Sequence, residues 1–383
     1  MNKIDELIQQ YCPEGVEYVS IGSLITRVRD KGKNNPSVKT VYSVSNTLGL
    51  VKAEDFRDNV IYSEDTSYYV VVEQGMFAYN PARLNIGSLA YLQNNQPGLV
   101  SPMYVVFGID KTKILPKYLY LYLKSPYIIC KINSLTESGA RFRFDFERWG
   151  LIEIPLPPLP VQEAIVNILD CFAVYTAELQ AELQARQQQY NYYRDTLLSF
   201  EGREDVQWKK LGEVCDIRRG IRVVKKQLND NGVYPVFQNS IPPMGYYDQC
   251  NREGNLPYVI CAGSSSGSIG YCSSPFWAAD DCYTVEGIKV INRYAFHTLK
   301  KNNHKLFSQV RNGSMPRLPH DAIDNLIIPI PSLEEQERIS TILDRFDALI
   351  NDLSQGLPAE IEARQQQYEY YRDQLLTFKR KEA

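Results

Sequence analysis

The sequence predicts an α+β protein in which two mixed α/β globular domains are separated by two long antiparallel helices that form a coiled coil. Three observations support this fold class. A long segment occurs twice, an apolar seam runs along each copy, and the regions that precede the two copies also resemble one another. We therefore expect a pseudo-twofold repeat whose two termini lie close together.

The repeated segment runs from Ala185 to Phe200 and again from Ala363 to Phe378. The offset is 178 residues, and only three of the sixteen positions differ. Upstream, residues 154–157 (IPLP) match residues 328–331 (IPIP) at an offset of 174. The second copy therefore carries four additional residues in its middle, which is about one helical turn.

The first copy has the seam of a long amphipathic helix, predicted from about Val161 to Phe200. Positions 165, 169, 172, 176, 179, 183, 186, 190, 193 and 197 alternate steps of four and three, and eight of the ten are apolar or aromatic. A tandem Ala-Glu-Leu-Gln unit at residues 177–184 should keep this helix continuous. The helix would be about 60 Å long.

The second helix should contain a break. Gly356 and Pro358 predict that one helix ends near Gly356 and that the next begins at Pro358. At its start, Ser332 and Glu335 have the spacing of a capping box.

The globular domains also show an internal match, because residues 15–24 resemble residues 205–214 at an offset of 190. The predicted division is a first globular domain at 1–153, a first helix at 154–200, a second globular domain at 201–326 and a second helix at 327–383. Strands are predicted at 68–72, 104–107 and 258–261, and helices at 2–11, 115–135 and 294–309.

Composition limits the possible classes of protein. No run approaches 18 apolar residues and no apolar signal region opens the chain, so we expect a cytoplasmic protein without a membrane span. The eight cysteines lack a CxxC spacing and only three His are present, so buried thiols are expected rather than a metal site. The net charge is −3, but residues 14–153 carry +2, residues 201–325 carry +3 and the remainder, mostly helical, carries −8. Mildly basic domains are thus joined by acidic helices.

One motif suggests catalysis. Residues 263–267 (GSSSG) match the GxSxG pattern of a serine hydrolase, with Ser265 as the nucleophile and acidic and His residues following it. The motif requires a helix directly after it, whereas residues 268–272 have the pattern of a strand. A tight hairpin or a loop close to a ligand is the better interpretation. No GxxxxGK[ST] loop is present, so nucleotide hydrolysis is not expected.

Basic clusters occur at matching places in the two domains, which favours two contacts to one polyanion. Arg and amide side chains near turns could read guanine and adenine. The first cluster is Arg27, Arg29, Lys31 and Lys33, and the second is Arg218, Arg219, Arg222, Lys225 and Lys226. The candidates near turns are Asn80, Arg83, Arg141, Arg143, Gln238, Asn239, Ser265, Ser266, Arg311 and Arg317.

Two variable domains, each followed by IPLPP or IPIPS, a QE helix start and ARQQQYxYYRDxLL, resemble a type I restriction–modification specificity subunit. The resemblance covers essentially the whole chain. It implies that the globular domains are target-recognition domains, each reading half of a bipartite site in double-stranded DNA. It also implies a non-catalytic chain whose helices bind two methylation subunits, with restriction subunits joining the complex. S-adenosylmethionine, ATP and Mg would be bound by those partners, and this chain would hold no metal.

Repeated polar residues on the outward faces of the helices are the candidates for binding the methylation subunits. They are Gln162, Glu163, Gln187, Gln188, Arg194 and Asp195, with Gln336, Glu337, Gln365, Gln366, Arg372 and Asp373 repeating them. Two alternatives stay open at this point. One is a stand-alone DNA-binding protein without enzymatic partners, and the other is a hydrolase that uses Ser265.

Overall fold

The computed structural model of the chain describes residues 3–46, 48–56, 63, 65–136, 142–229, 231–311, 313–351 and 356–382. The helices are α1 (Lys3–Tyr11), α2 (Ala53–Phe56), α3 (Pro116–Leu123), α4 (Pro126–Ser134), α5 (Leu159–Leu197), α6 (Leu211–Val214), α7 (Asn292–Lys301), α8 (Asn303–Ser308), α9 (His320–Asp324), α10 (Leu333–Asn351) and α11 (Leu357–Leu375). Among these described segments, no helix is both long enough and apolar enough to cross a membrane.

Within the described part of the chain, the strands form six sheets. They are β1 (Tyr18–Ser20), β2 (Ile25–Val28), β3 (Val41–Ser45), β4 (Gly49–Lys52), β5 (Val70–Val72), β6 (Phe77–Tyr79), β7 (Leu89–Tyr91), β8 (Gly98–Val100), β9 (Val105–Ile109), β10 (Glu153–Pro155), β11 (Gln207–Lys210), β12 (Cys215–Arg219), β13 (Tyr234–Phe237), β14 (Gly245–Tyr247), β15 (Leu256–Ile260), β16 (Ile269–Cys272), β17 (Trp277–Ala278), β18 (Cys282–Gly287) and β19 (Ile327–Ile330). The chain divides into two compact units, of which unit 1 is Met1–Thr176 with Ala363–Ala383 and unit 2 is Ala177–Glu362.

The two units share one sheet topology. Unit 1 contains sheets of order β2-β9-β6-β7 and β4-β3-β8-β5 with the pair β1-β10. Unit 2 contains β12-β18-β15-β16, β14-β13-β17 and the pair β11-β19. The correspondence includes the parallel pair of each unit, β3 with β8 and β13 with β17. Unit 1 adds β5 as an edge strand next to β8. The duplication therefore includes the globular parts, although their sequences match mainly by position.

The cores of the two units are filled differently. In unit 1 the core is aromatic, with Trp149 fully buried against Phe144 at a ring distance of 4.8 Å and against Tyr79 at 5.9 Å. In unit 2 the equivalent sheet buries aliphatic and thiol side chains such as Val259 and Val285. Either filling removes apolar surface from water, so one fold tolerates both sequences.

Two predicted helices are each divided in the structure. The segment predicted as one helix at 115–135 forms α3 and α4, because Pro126 cannot continue α3 and Ser125 caps the new helix by accepting a bond from Ile128 N. The segment predicted at 294–309 divides into α7 and α8 at Asn302. The predicted strands are observed as β5, β9 and β15, each shifted by one or two residues.

The long helix α5 is continuous over 39 residues. Ile165, Leu169 and Tyr190 on its seam are buried, and the remaining seam positions are half-buried except Tyr193 at 37% exposure. The predicted helix and its seam are confirmed, with the end at Leu197 rather than Phe200.

The repeated helical residues make the same aromatic contact in both units. In unit 1, Phe172 of α5 stacks on Tyr371 of α11 with ring centroids 5.3 Å apart and an interplanar angle of 23°. In unit 2, Tyr193 of α5 stacks on Phe346 of α10 at 5.3 Å and 24°. Within unit 1 the helices run antiparallel, because Tyr175, one turn further along α5, lies under the guanidinium of Arg364.

The predicted interruption of the second helix is observed. The last described residue of α10 is Asn351, Gly356 adopts a bend, and α11 begins at Leu357 with Pro358 in its first turn. Residues 352–355 lie outside the described residues. At the start of α10, Ser332 Oγ accepts a bond from Glu335 N at 3.3 Å. The carboxylate of Glu335 binds Arg338.

The two ends of the chain meet in unit 1, as predicted. Val16 N donates to Lys379 O at 2.8 Å, and Lys381 N donates to Val16 O at 3.0 Å. Tyr18 adds a bond from its hydroxyl to Phe378 O at 2.9 Å. The C-terminal segment thus completes the N-terminal domain.

Five of the eight cysteines are buried, namely Cys12, Cys215, Cys261, Cys272 and Cys282. The prediction of buried thiols is wrong for Cys130, Cys171 and Cys250, which are exposed. Cys130 and Cys171 lie on α4 and α5.

A buried imidazole joins α7 to both long helices of unit 2. His297 is fully buried, its Nδ1 lies 3.2 Å from the hydroxyl of Tyr190 and its Nε2 lies 2.6 Å from Asp344 Oδ1. Arg293 binds the same carboxylate through Nε at 2.7 Å. Burial lowers the pKa of His297, although the hydrogen bond to Asp344 opposes this shift. Burial raises the pKa of Asp344, but hydrogen bonds from His297 and Arg293 outweigh it and hold that pKa below its usual value. A neutral imidazole that donates to a carboxylate accounts for both directions.

This arrangement predicts an acid-sensitive unit 2. Because the unfolded chain protonates His297 more readily than the folded protein, the free energy of unfolding should fall as the pH drops below about 6.5, by at most about 1.4 kcal/mol per pH unit. Thermal unfolding midpoints between about pH 7.5 and about pH 5.5 measure this dependence. His297→Gln should flatten it, whereas His304→Gln, at an exposed position on α8, should not. Parallel curves for the wild type and His297→Gln would contradict the assignment.

Candidate nucleic-acid interface

A cleft of about 950 Å³ opens in unit 1 and is lined by residues of both four-stranded sheets. Four residues predicted from the sequence converge there from three separate parts of the chain: Arg27, Asn80 with Arg83, and Arg143. Further polar side chains of the lining are Ser43, Ser45, Asn46, Ser88 and Ser101. A concave site with several hydrogen-bonding side chains is suited to binding a polar ligand.

The three arginines of this cleft differ in their partners. Arg27 lies 3.8 Å from the carboxylate of Glu147, and Arg143 Nε lies 3.1 Å from that of Asp145. Arg83 is exposed and has no ion pair or side-chain hydrogen bond among the described residues. Its guanidinium is therefore available for a ligand, and such a group can donate two parallel hydrogen bonds.

The loop that carries Arg83 is held by its own hydrogen bonds. Asn80 Oδ1 accepts from Ala82 N at 2.9 Å, and Arg83 N donates to Asn80 O at 3.0 Å. Ser88 N closes the loop on Arg83 O at 3.1 Å. Asn80 thus shapes the turn, and the structure assigns its side-chain oxygen to the backbone.

In unit 2 the β15–β16 hairpin corresponds to the β6–β7 loop that carries Asn80 and Arg83. This hairpin contains the GSSSG motif, with Gly263 and Gly267 in left-handed conformations at φ values of 88° and 91°. Strand β16 follows directly at Ile269, so the helix that a serine nucleophile requires is absent from this described segment. The GSSSG motif therefore lies in a hairpin, as the sequence predicted.

Two of the three histidines have other partners. His297 is held by Tyr190 and Asp344, and a ring nitrogen of His320 lies 3.4 Å from Ile217 O. Ser265 accepts a bond from Ser268 N at its backbone oxygen. The geometry therefore gives no support to a catalytic triad around Ser265.

Ser266 was expected to contact a ligand, and this prediction is wrong. Its side chain is 3% exposed, and its hydroxyl donates to Pro316 O at 2.9 Å. The neighbouring Ser264 is exposed instead. Burial against the backbone of residue 316 stabilises the hairpin and removes Ser266 from the surface.

Three predicted residues surround this hairpin in unit 2. Arg219 stands opposite Tyr283 in the sheet, as Arg27 stands opposite Phe107 in unit 1, and its Nε donates to Asp280 O at 2.7 Å. Asn239 lies against Gly263. A Cβ atom added to Gly263 would be 3.6 Å from the Cβ atom of Asn239. Arg317 pairs with Asp281 at 3.4 Å. As in unit 1, arginine and amide side chains lie together here, and an arginine is paired with a carboxylate.

The remaining basic residues lie on the surface with different partners. Arg218 is held by Asp216 and Glu286, whereas Lys31 lies over the ring of Tyr68 at 5.4 Å. Exposed cations without an ion pair among the described residues are Arg29, Lys33, Arg222, Lys225 and Lys226. Gln238 is half-buried, and Arg311 is exposed and pairs with Arg317 only through the backbone. Arg141 lies outside the described residues.

Most of the residues predicted for partner binding are at the helix surface. Glu163, Gln187, Gln188, Glu337, Gln365 and Gln366 are exposed. Arg194 and Arg372 are half-buried and make identical contacts, pairing with Asp195 and Asp373 at 2.9 and 2.8 Å.

The prediction that Gln162 and Gln336 face outward is wrong. They are 0% and 1% exposed. Gln162 Oε1 accepts from Leu115 N at 2.9 Å, and Gln336 Oε1 accepts from Ile291 N at 3.0 Å. Each amide thus ties the start of a long helix to the residue before α3 or α7. Because a buried amide must satisfy its hydrogen bonds, these repeated Gln residues have a structural role.

Two cleft residues escaped the sequence analysis. Asn46 lies in the turn between β3 and β4, where a serine and asparagine pair could have indicated a ligand-facing turn. Lys124 lies behind the lining and contacts two of its loops, and no local sequence signal marks it.

A duplicated α+β fold, with arginine and amide side chains gathered at the same edge of each copy, defines a class of two-module nucleic-acid recognition proteins. The family described as the type I restriction modification DNA specificity domain matches residues 13–186 and residues 203–363. The chain belongs to this family.

Its relatives agree with this assignment. The specificity subunit of the type I restriction enzyme EcoR124I/EcoR124II from Escherichia coli is 33% identical over 316 residues, which cover 74% of this chain and 76% of that protein. A putative specificity subunit, S.HindORF215P, from Haemophilus influenzae is 29% identical over 366 residues, covering 89% and 91%. The fold is similar to the crystal structure of the type I restriction–modification S subunit from M. genitalium, with a TM-score of 0.63, 16% identity and coverage of 94% and 96%.

Proposed function

We propose that this chain is the sequence-specific DNA-recognition subunit of a type I restriction–modification complex. The proposed target-recognition domains are residues 1–153 and 201–326, each reading one half of a bipartite site. The proposed spacer helices are residues 154–200 and 327–383. The observation that carries this proposal is that arginine and amide side chains gather around the β6–β7 loop in unit 1 and around the corresponding β15–β16 hairpin in unit 2.

The chain is proposed to be non-catalytic. The GSSSG segment, which carries the candidate nucleophile Ser265, is a hairpin loop that is followed directly by strand β16 and not by the helix that such a nucleophile requires. The chemistry would come from partners: methylation subunits that hold S-adenosylmethionine and methylate adenine, and restriction subunits that use ATP and Mg.

Affinity for DNA should depend on the unpaired cations rather than on the whole basic cluster. Arg218, in β12, is neutralised by Asp216 and Glu286. Three cations in the segment that follows this strand are exposed and unpaired among the described residues: Arg222, Lys225 and Lys226. Replacing those three by Ala should weaken binding to all sequences and reduce the slope of log K against log salt by about 2 to 3.

Arg218→Ala is the matched control and should change this slope little. Titrations of labelled duplex at several salt concentrations provide the measurement. An unchanged slope and affinity in the triple variant would make the loop an ordinary solvated surface.

Two methylation subunits are proposed to bind each chain. The support is that identical exposed residues occur on both helices, Gln187 and Gln188 on one and Gln365 and Gln366 on the other. Identical surfaces favour identical partners. Native mass measurement of the purified complex should give two methylation subunits per chain. Saturation at one subunit, or no bound subunit, would count against the proposal, and the latter would favour a stand-alone DNA-binding protein.

A further inference from the structure

Lys124 follows α3 in unit 1 and contacts two loops that line the cleft. Its ammonium donates to Gly87 O at 2.6 Å, in the loop between β6 and β7, and to Asn46 O at 3.2 Å, in the turn between β3 and β4. These loops belong to different four-stranded sheets. One cation therefore joins the two halves of the cleft wall.

A second contact runs parallel to this one. Asn46 Nδ2 donates to Ile86 O at 2.9 Å, next to the carbonyl that Lys124 binds. Gly87 adopts a left-handed conformation with φ of 84°, and a Cβ there would lie 3.3 Å from the ammonium nitrogen. The end of the loop is thus shaped to receive Lys124.

The ammonium of Lys124 has no carboxylate partner among the described ion pairs. Its surroundings are the two carbonyls and the ring of Tyr120, whose centroid is 5.7 Å away. Lys124 is half-buried, and this burial lowers the pKa of its ammonium. A partly buried cation bound only by neutral groups is costly in free energy, and here that cation makes hydrogen bonds to both loops.

We propose that Lys124 is a positioning residue for recognition of the half-site bound by unit 1. It ties the Arg83 loop to the turn after β3, and so fixes the unpaired guanidinium relative to Ser43 and Ser45. Reading a base edge requires donors held within about 0.5 Å, whereas a phosphate contact tolerates looser placement. This inference rests on the proposed function, because it assigns Lys124 to the first domain's reading of DNA.

The experiment uses the complex of the full chain with its methylation partner. Methylation rates are measured on the cognate duplex and on duplexes with single base-pair changes in either half-site. In Lys124→Met, discrimination within the half-site read by unit 1 should fall about tenfold, while discrimination within the other half-site stays at the wild-type level. Lys124→Arg, which keeps a cation, should retain part of the discrimination within the half-site read by unit 1. Lys131→Met, at an exposed position on α4, is the matched control and should behave as wild type.

Unaltered discrimination in Lys124→Met would overturn the inference. An equal loss at both half-sites would also overturn it, because that pattern reports a general defect. Should Lys124→Met fail to fold, Lys124→Gln, with a shorter neutral side chain, takes its place in the same comparison. If the wild-type complex methylates without sequence specificity, the proposed function itself is overturned. If the wild type and Lys124→Met both methylate with the same sequence specificity, only the role of Lys124 is overturned.

Discussion

Insertion of a third Ala-Glu-Leu-Gln unit after Gln184 should lengthen the spacer of the DNA target by about one to two base pairs. Four residues add about 6 Å of helix and roughly 40° of rotation, and one base pair occupies about 3.4 Å of the DNA axis. The two half-site sequences should stay the same, because neither globular domain is changed.

The position of the tandem units within α5 supports this expectation. The boundary between the two compact units falls between Thr176 and Ala177, at the first residue of the tandem segment. In that segment only Leu179 and Leu183 are half-buried and the other residues are exposed, so the insertion disturbs little packing. Four residues also return the leucine to nearly the same face of the helix.

Methylome sequencing of cells with the insertion variant provides the measurement. A variant in which residues 181–184 are reordered to Ala-Gln-Leu-Glu keeps the length and should keep the spacer. An unchanged spacer in the insertion variant would show that the interruption around Gly356, or the partner subunits, set the distance instead.

Arg83→Ala should relax specificity at one guanine in the half-site read by unit 1. The guanidinium has no partner among the described residues and is free to bind a base. The loop that carries it is closed by three hydrogen bonds, so the backbone of Arg83 is positioned before DNA binds. Loss of a bidentate contact to guanine should reduce discrimination at that position about ten- to a hundredfold.

Arg143→Ala provides the comparison, because Arg143 already pairs with Asp145 in the same cleft. Methylation of a duplex library randomised within the half-sites would show which position is relaxed. Uniform weakening across all sequences, together with a shallower salt dependence, would make Arg83 a phosphate contact.

The helical architecture could be predicted from the sequence because it depends on local and periodic signals. The seam of α5, the interruption near Gly356 and the Ser332 cap each follow from residue spacing and backbone preference. The aromatic contact of Phe172 with Tyr371, and its duplicate, then follow from two matching seams.

The sheet topology could not be predicted in this way. Pairs such as β3 with β8 join residues that are far apart in sequence and carry no local mark. The convergence of Arg27, Arg83 and Arg143 depends on that topology, so the sequence indicated the candidates but not the cleft.

Repetition of polar residues was misleading at Gln162 and Gln336. Both glutamines are buried and make the hydrogen bonds that fasten a long helix to its domain. Neither forms part of an exposed surface. Surface positions and buried polar positions repeat equally well in a duplicated sequence, and only burial separates them.

Methylome sequencing of cells that carry this subunit with its methylation partner tests the central claim most directly. The account predicts methylated adenines within a bipartite motif, with two short fixed half-sites separated by an unspecified spacer of constant length. A single continuous motif, or methylation without any motif, would contradict the assignment of one half-site to each globular domain.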